Sequence, residues 1–154
     1  VSVRIHWGGD TIDHTVAPVL TSEPAIRVPH TLPPSPKAQG VLTPVPLIQL
    51  AYGRSGDKGD KANIGIVARQ SEYLPYIWTA LTPEVVASCF SRFLGGQVER
   101  FLLPGIHAIN FVLHDVLGGG GIASLRNDAQ GKGYAQILLA QPIGLPAPLA
   151  ERIS

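Results

Sequence analysis

Methionine is absent from the chain, cysteine occurs once, at Cys89, and no apolar run approaches the length of about 18 residues that crosses a bilayer. A lone cysteine can form neither an internal disulfide nor a multi-cysteine zinc site. Cys89 falls on the apolar face of an expected helix, where a buried small hydrophobe is the better reading than a nucleophile. No basic segment leads into an apolar stretch at the start, as a secretory signal requires. A soluble, cytoplasmic chain without a membrane partner is therefore expected. Charge is scarce too: 15% of residues, with a net charge of +1. A nucleic-acid surface needs basic residues clustered on one face with aromatics among them, so nucleic acid is not an expected partner. A chain that begins at Val1 without methionine is expected to be processed, truncated or cut from something longer.

The 154 residues, 45% of them hydrophobic, suffice for one sizeable core and fall short of two ordinary domains. Val1, Val3, Ile5 and Trp7 alternate with Ser2, Arg4 and His6, the period of a half-buried strand, which needs a partner strand from this domain, a second subunit or an upstream domain. Eight of the 14 prolines fall in the first 46 residues, so Ala17 to Pro46 reads as an extended connector. Leu47 to Tyr52 and Ile64 to Ala68 read as core strands. Ser71 to Thr79 fits either a helical turn or an aromatic loop. Thr82-Pro83-Glu84 starts a helix with a hydroxyl cap, an N1 proline and a first-turn carboxylate. Val86, Cys89, Phe90, Phe93 and Leu94 continue its stripe to Gly95. Gln97 to Leu103 and Ile106 to Leu113 form an expected hairpin through a type II turn at Pro104-Gly105. A second helix is expected from Asp128, ended by Pro142, with a last strand at Ile143 to Leu145. Strand, helix, strand, strand, helix, strand is the order of a split βαβ unit.

Chemistry concentrates between the first two core strands. Arg54, Ser55, Asp57, Lys58, Asp60, Lys61 and Asn63, spaced by Gly53, Gly56 and Gly59, read as a glycine-rich polar loop whose N–H groups and cations suit an anion. A solvated turn of self-paired charges, worth about 0–1 kcal/mol per pair, is the competing reading. Two carboxylates are too few for a hard cation, so no metal is expected. Gly118 to Gly121 precede Ser124, Arg126, Asp128 and Lys132, which crowd the second helix start; Arg126 and Lys132 could complete an anion pocket there, or the run is a connection capped by Asp128. Asn110 interrupts an apolar run, and it either satisfies backbone or joins the site. Neither a dinucleotide fingerprint nor a P-loop is present, and no nucleophile sits beside a recognisable base, so the sequence names no catalytic residues and no cofactor.

These motifs also carry a likeness. Arg54-Ser-Gly-Asp-Lys-Gly-Asp60 followed by Asn63-Ile-Gly65, then Leu103-Pro-Gly-Ile-His-Ala-Ile-Asn110-Phe111, Gly118 to Gly121, Ser124-Leu-Arg126 and Asp128-Ala-Gln-Gly-Lys132 resemble the C-terminal domain of the acyclic terpene utilization (AtuA) family, over roughly Leu47 to Pro146. The resemblance implies an α+β, ferredoxin-like split βαβ sandwich over 47–150, with 1–46 as an extended proline-rich appendage and the tail of a larger N-terminal domain. It implies breakdown of terpenoid acyl-CoA thioesters as the setting, with a carboxylate or acyl-CoA as ligand. Three readings stay open: an accessory domain with an anion site at a domain or subunit interface, a structural oligomerisation module, and a free-standing hydrolase or lyase using Asp57, Asp60 and Lys58.

Overall fold

The computed structural model describes residues 2–17, 31–36 and 40–153 of the chain. Strand β1 (Ser2–Trp7) finds its partner in the next residues, because Gly8-Gly9 turns it into β2 (Asp10–Thr15), antiparallel, with Ile5 opposite Ile12. Sequence reading missed β2 since Ile12 is its one strongly apolar residue, too little for a period-two signal. One face of the ribbon pairs side chains across the strands, Ser2 with Thr15, Arg4 with Asp13 and His6 with Thr11. The other face carries Val3, Ile5, Trp7 and Ile12, all exposed.

The proline connector changes character at its end. Leu42–Pro46 is strand β3, antiparallel to β8 (Pro142–Pro146), and Val45 enters the core. The prolines explain their own register: Pro44 lies opposite Gly144, Pro46 opposite Pro142, and Leu42 opposite Pro146. Proline has no N–H to donate, so these alternate pairs are the ones whose N–H vectors point out of the ladder. Thr43–Leu145 and Val45–Ile143 are then the hydrogen-bonded pairs. Most of the remaining connector lies outside the described residues.

Leu47–Leu50 is a single helical turn, α1, rather than the start of a strand, and both its leucines are buried. Strand β4 (Ala51–Lys58) follows and joins β5 (Lys61–Ala68) through Gly59-Asp60 alone. The expected ten-residue loop is thus a tight hairpin. Gly59 has φ +69° at the first central position while Asp60 stays at negative φ, the pattern of a type II′ turn that matches strand twist. Polar residues there did not signal a loop: Arg54, Lys58, Lys61 and Asn63 alternate onto the open face of a half-exposed sheet, with Ser55 and Asp57 on the opposite side of β4.

The aromatic segment is helical: a 3-10 turn at Ser71–Tyr73 runs into α2 (Leu74–Ala80). In α3 (Pro83–Cys89) the Thr82 hydroxyl accepts the Val85 N–H at 3.3 Å. Hydrogen bonds from Thr82 and from its own backbone hold the Glu84 carboxyl below its ordinary range. The helix ends at Cys89, five residues before the expected Leu94, where the N–H groups of Phe90 and Ser91 turn back only three residues, to the Ala87 and Ser88 carbonyls, and break the four-residue ladder. Burial pushes the Cys89 thiol up, away from the thiolate a nucleophile needs. Strands β6 (Val98–Leu103) and β7 (Ala108–Leu113) form the expected hairpin. Its turn differs, since the left-handed residue is His107 at φ +51° and not Gly105. Helix α4 (Tyr134–Leu139) starts six residues after Asp128, and α5 (Ala147–Ala150) follows β8.

The main sheet has order β4-β5-β7-β6, antiparallel throughout, and the fold is α+β. From β5 onward, strand, helices, strand, strand and helix follow a split βαβ path. The edge beside β5, where a strand after α4 would close such a unit, is occupied by β4. A two-residue turn brings β4 there with almost no loop-closure cost, and β8 pairs with β3 instead. Helix α4 packs on β4 and β5, and α3 on β6 and α4. One core results, built on Phe90, Phe111, Ile64, Ile66, Ile109 and Leu138. Tyr52, Arg54, Lys58, Lys61 and Val67, on the other face of the sheet, stay exposed.

Candidate functional site

Alternation on β4 and β5 builds the site. Ala62, Ile64, Ile66 and Ala68 turn to the core, which sends Lys61, Asn63, Gly65 and Val67 to the open face. The register then sets Arg54 beside Gly65, Gly56 beside Asn63 and Lys58 beside Lys61. On this face lies a cavity of about 330 Å³ lined by Arg54, Ser55, Gly56, Lys58, Asn63, Gly65 and Lys132. Gly56 and Gly65 supply floor without side chains. Neither was named as a candidate from sequence, although period-two counting from Arg54 and Asn63 would have placed both there.

Lys132 arrives from outside the sheet. Its carbonyl accepts the Ser55 hydroxyl at 3.0 Å on the core side of β4, while its Nζ lies 3.0 Å from where a Cβ on Gly56 would stand. The side chain therefore passes the free edge of β4 to join Arg54 and Lys58. Asp57 is 3.8 Å from that Nζ, an exposed pair worth about 0–1 kcal/mol. One carboxylate among three cations leaves the cavity positive. Asn63 Nδ2 donates to Asn110 Oδ1 at 3.4 Å, so Asn110 extends the polar lining onto β7.

Ser55 is buried and works as a brace. Besides donating to Lys132, its oxygen accepts the Ala135 N–H at 2.9 Å, which ties the start of α4 and the Lys132 backbone to β4. Ser55→Ala leaves the buried Ala135 N–H and the part-buried Lys132 C=O without this partner and should cost about 1–3 kcal/mol. Chemical denaturation measures it; a loss under about 0.5 kcal/mol would mean that other groups already satisfy both.

Other candidates go to structural duties. The Asp60 carboxylate accepts the Gly119 N–H at 2.8 Å, and its carbonyl accepts those of Val116 and Leu117 at 3.1 and 3.4 Å. Asp60 thereby anchors the 118–121 glycine run and does not line the cavity. Arg126 donates to the Val116 and Phe93 carbonyls and lies over the Phe93 ring at 5.3 Å, away from Lys132's cavity. The expected pocket combining Arg126 and Lys132 at a helix start is not formed. Asp128 accepts the N–H groups of Lys132 and Gly133, each at 2.8 Å, and so shapes the turn that aims Lys132. Lys61 is exposed on the same face but outside the cavity lining. Among the described residues no three His, Cys, Asp or Glu side chains converge as metal ligands.

Arg100, on β6, is a cation the sequence reading passed over. It stacks on the Trp78 ring at 3.6 Å and donates to the Trp78 and Leu81 carbonyls, the latter at 2.9 Å. Burial lowers its pKa, with Glu84 opposing. Its role is to fasten the α2–α3 connection to the sheet. No helix among the described residues is long and apolar enough to cross a membrane.

Comparison with known proteins returns one result. The family model of the AtuA ferredoxin-like domain matches residues 45–144, well over half of the chain, from the end of β3 to the middle of β8. No curated protein and no solved structure matches.

Proposed function

From the chain's membership of the AtuA ferredoxin-like domain family, shown over residues 45–144, we propose an accessory role in which the open sheet face binds an anion for a larger assembly. The ligand is a carboxylate or the phosphate of an acyl-CoA, and the setting is catabolism of acyclic terpenoid acyl-CoA thioesters. The observation carrying this reading is the cavity of about 330 Å³ in which Arg54, Lys58 and Lys132 converge over glycine floor. Bound charge would be met by hydrogen bonds from charged donors, the stronger class. Strands hold Arg54, Lys58 and Asn63, so little of the site must be ordered on binding.

A second reading, an oligomerisation module without a ligand of its own, is favoured by one feature, the exposed apolar face of the β1–β2 ribbon. A bare two-stranded hairpin is marginal in water, and covering that face by a second copy would stabilise it. Titration of CoA, acyl-CoA and simple carboxylates by calorimetry separates the two. Under the anion reading, Arg54→Ala and Lys58→Ala each weaken binding about tenfold or more, the worth of one charged hydrogen bond, while melting is nearly unchanged. If the wild type binds none of these at millimolar concentration and the variants instead lose a native oligomer, the anion reading is wrong.

A further inference from the structure

The open face is graded along its strands. The row Lys58–Lys61 and the row Gly56–Asn63–Val112–Glu99 form its polar end, and Arg54–Gly65–Asn110–Phe101 comes next. The following row, Tyr52–Val67–Ala108–Leu103, holds no charge. Val67 is 37% exposed, Phe101 46% and Leu103 42%, around a buried Ala108, while Tyr52, 60% exposed, carries the Arg69 guanidinium 3.9 Å from its ring centre; the Val67, Phe101 and Leu103 side chains are the open part of the patch. Nothing separates it from the cavity. A Cβ on Gly65, between the two, would meet only the Arg54 carbonyl, at 3.8 Å, and Val67 lies about 7 Å further along β5.

We propose that the site takes an anion carrying an extended apolar chain, the head between Arg54, Lys58 and Lys132 and the tail running over Gly65 onto Val67, Phe101 and Leu103. The proposal rests on the anion reading above and adds the tail subsite. Continuity decides the occupant. A flat protein partner would have to bury Arg54, Lys58, Lys61 and Asn63 along with the apolar row, and unmatched buried charge is costly. A single chain anchored by its own head covers the apolar row and leaves Lys61 in water. Carboxylate and phosphate heads offer the same chemistry to the three cations.

Two homologous series, n-alkanoates and n-alkyl phosphates from ethyl to decyl, are titrated into the full chain below their micelle concentrations, with inorganic phosphate as the tailless probe. Affinity is expected to rise about twofold per methylene, roughly half the gain of full burial, since the sheet covers one side of the tail. The steeper binder of the two series identifies the head. Val67→Asn and Leu103→Gln, both at exposed positions, should flatten this dependence while leaving inorganic phosphate binding unchanged. Inorganic phosphate bound with no dependence on chain length overturns the tail subsite and leaves the anion reading standing. A slope that persists in both variants, or a fall in native mass in them, overturns it as well, the latter by showing that a second copy covers the patch. Failure of every anion to bind overturns both.

Discussion

Phe90→Ala should lower the unfolding free energy by about 3–5 kcal/mol, the sum of lost transfer energy and an unfilled cavity. Phe90 has no exposed surface and sits at the meeting point of α3 and α4, edge-on to Phe93 at 5.6 Å and tilted against Tyr134 at 5.3 Å. Phe93 and Tyr134 also touch each other at 5.3 Å, so the three rings form a closed cluster that cannot easily collapse into the space. Urea denaturation with an unchanged slope against denaturant measures the loss. A loss below about 1 kcal/mol would mean that the cluster repacks freely and that α3 is not seated as described.

Gly120→Ala is expected to cost about 2–6 kcal/mol, because two independent penalties fall on one methyl group. Gly120 has φ +79°, where a residue with a Cβ is strained by about 1–3 kcal/mol. Its added Cβ would also stand 2.6 Å from the Gly59 carbonyl oxygen, and forced overlap typically costs about 1–3 kcal/mol more. That oxygen belongs to the backbone of the β4–β5 turn, which Asp60 ties to the same loop, so relief would require moving the hairpin that carries Lys58. Gly121→Ala is the control: its Cβ meets nothing within 4 Å and its φ is not positive, so a change within about 0.5 kcal/mol is expected. Equal melting temperatures for the two variants would show that the glycine run does not press on the turn.

The helix start at Thr82-Pro83-Glu84 and the β6–β7 hairpin were legible because their causes lie within a few residues: a cap, an N1 proline, two apolar runs and a short connection. The β4–β5 hairpin was half legible. Its alternation is regular from Lys61 to Ala68, but the density of glycine and charge from Gly53 to Asp60 looks like loop composition unless the polar residues are counted as one face of a sheet. Strand β3 was hidden by its prolines, whose place in the ladder follows from a partner nearly a hundred residues away.

Residue order by itself determined an α+β chain with one core, an alternating segment at its start, a capped helix, and a cluster of cations, asparagine and glycine from Arg54 to Asn63, since each of these follows from local sterics, capping, periodicity or composition; that the cluster is strand and not loop was left to the fold. The tertiary structure alone decided which charges share a cavity. Lys132 joins Arg54 and Lys58 because Ser55 and Asp128 hold its backbone against the β4 edge, whereas Asp60 and Arg126, of equally suggestive chemistry, are consumed by the backbone of the 116–119 segment. The contacts that decide them, Ser55 to Lys132, Asp60 to Gly119 and Arg126 to Phe93, join residues 77, 59 and 33 apart, and their geometry is set only when the sheet packs against α4 and one arrangement satisfies the buried donors and acceptors.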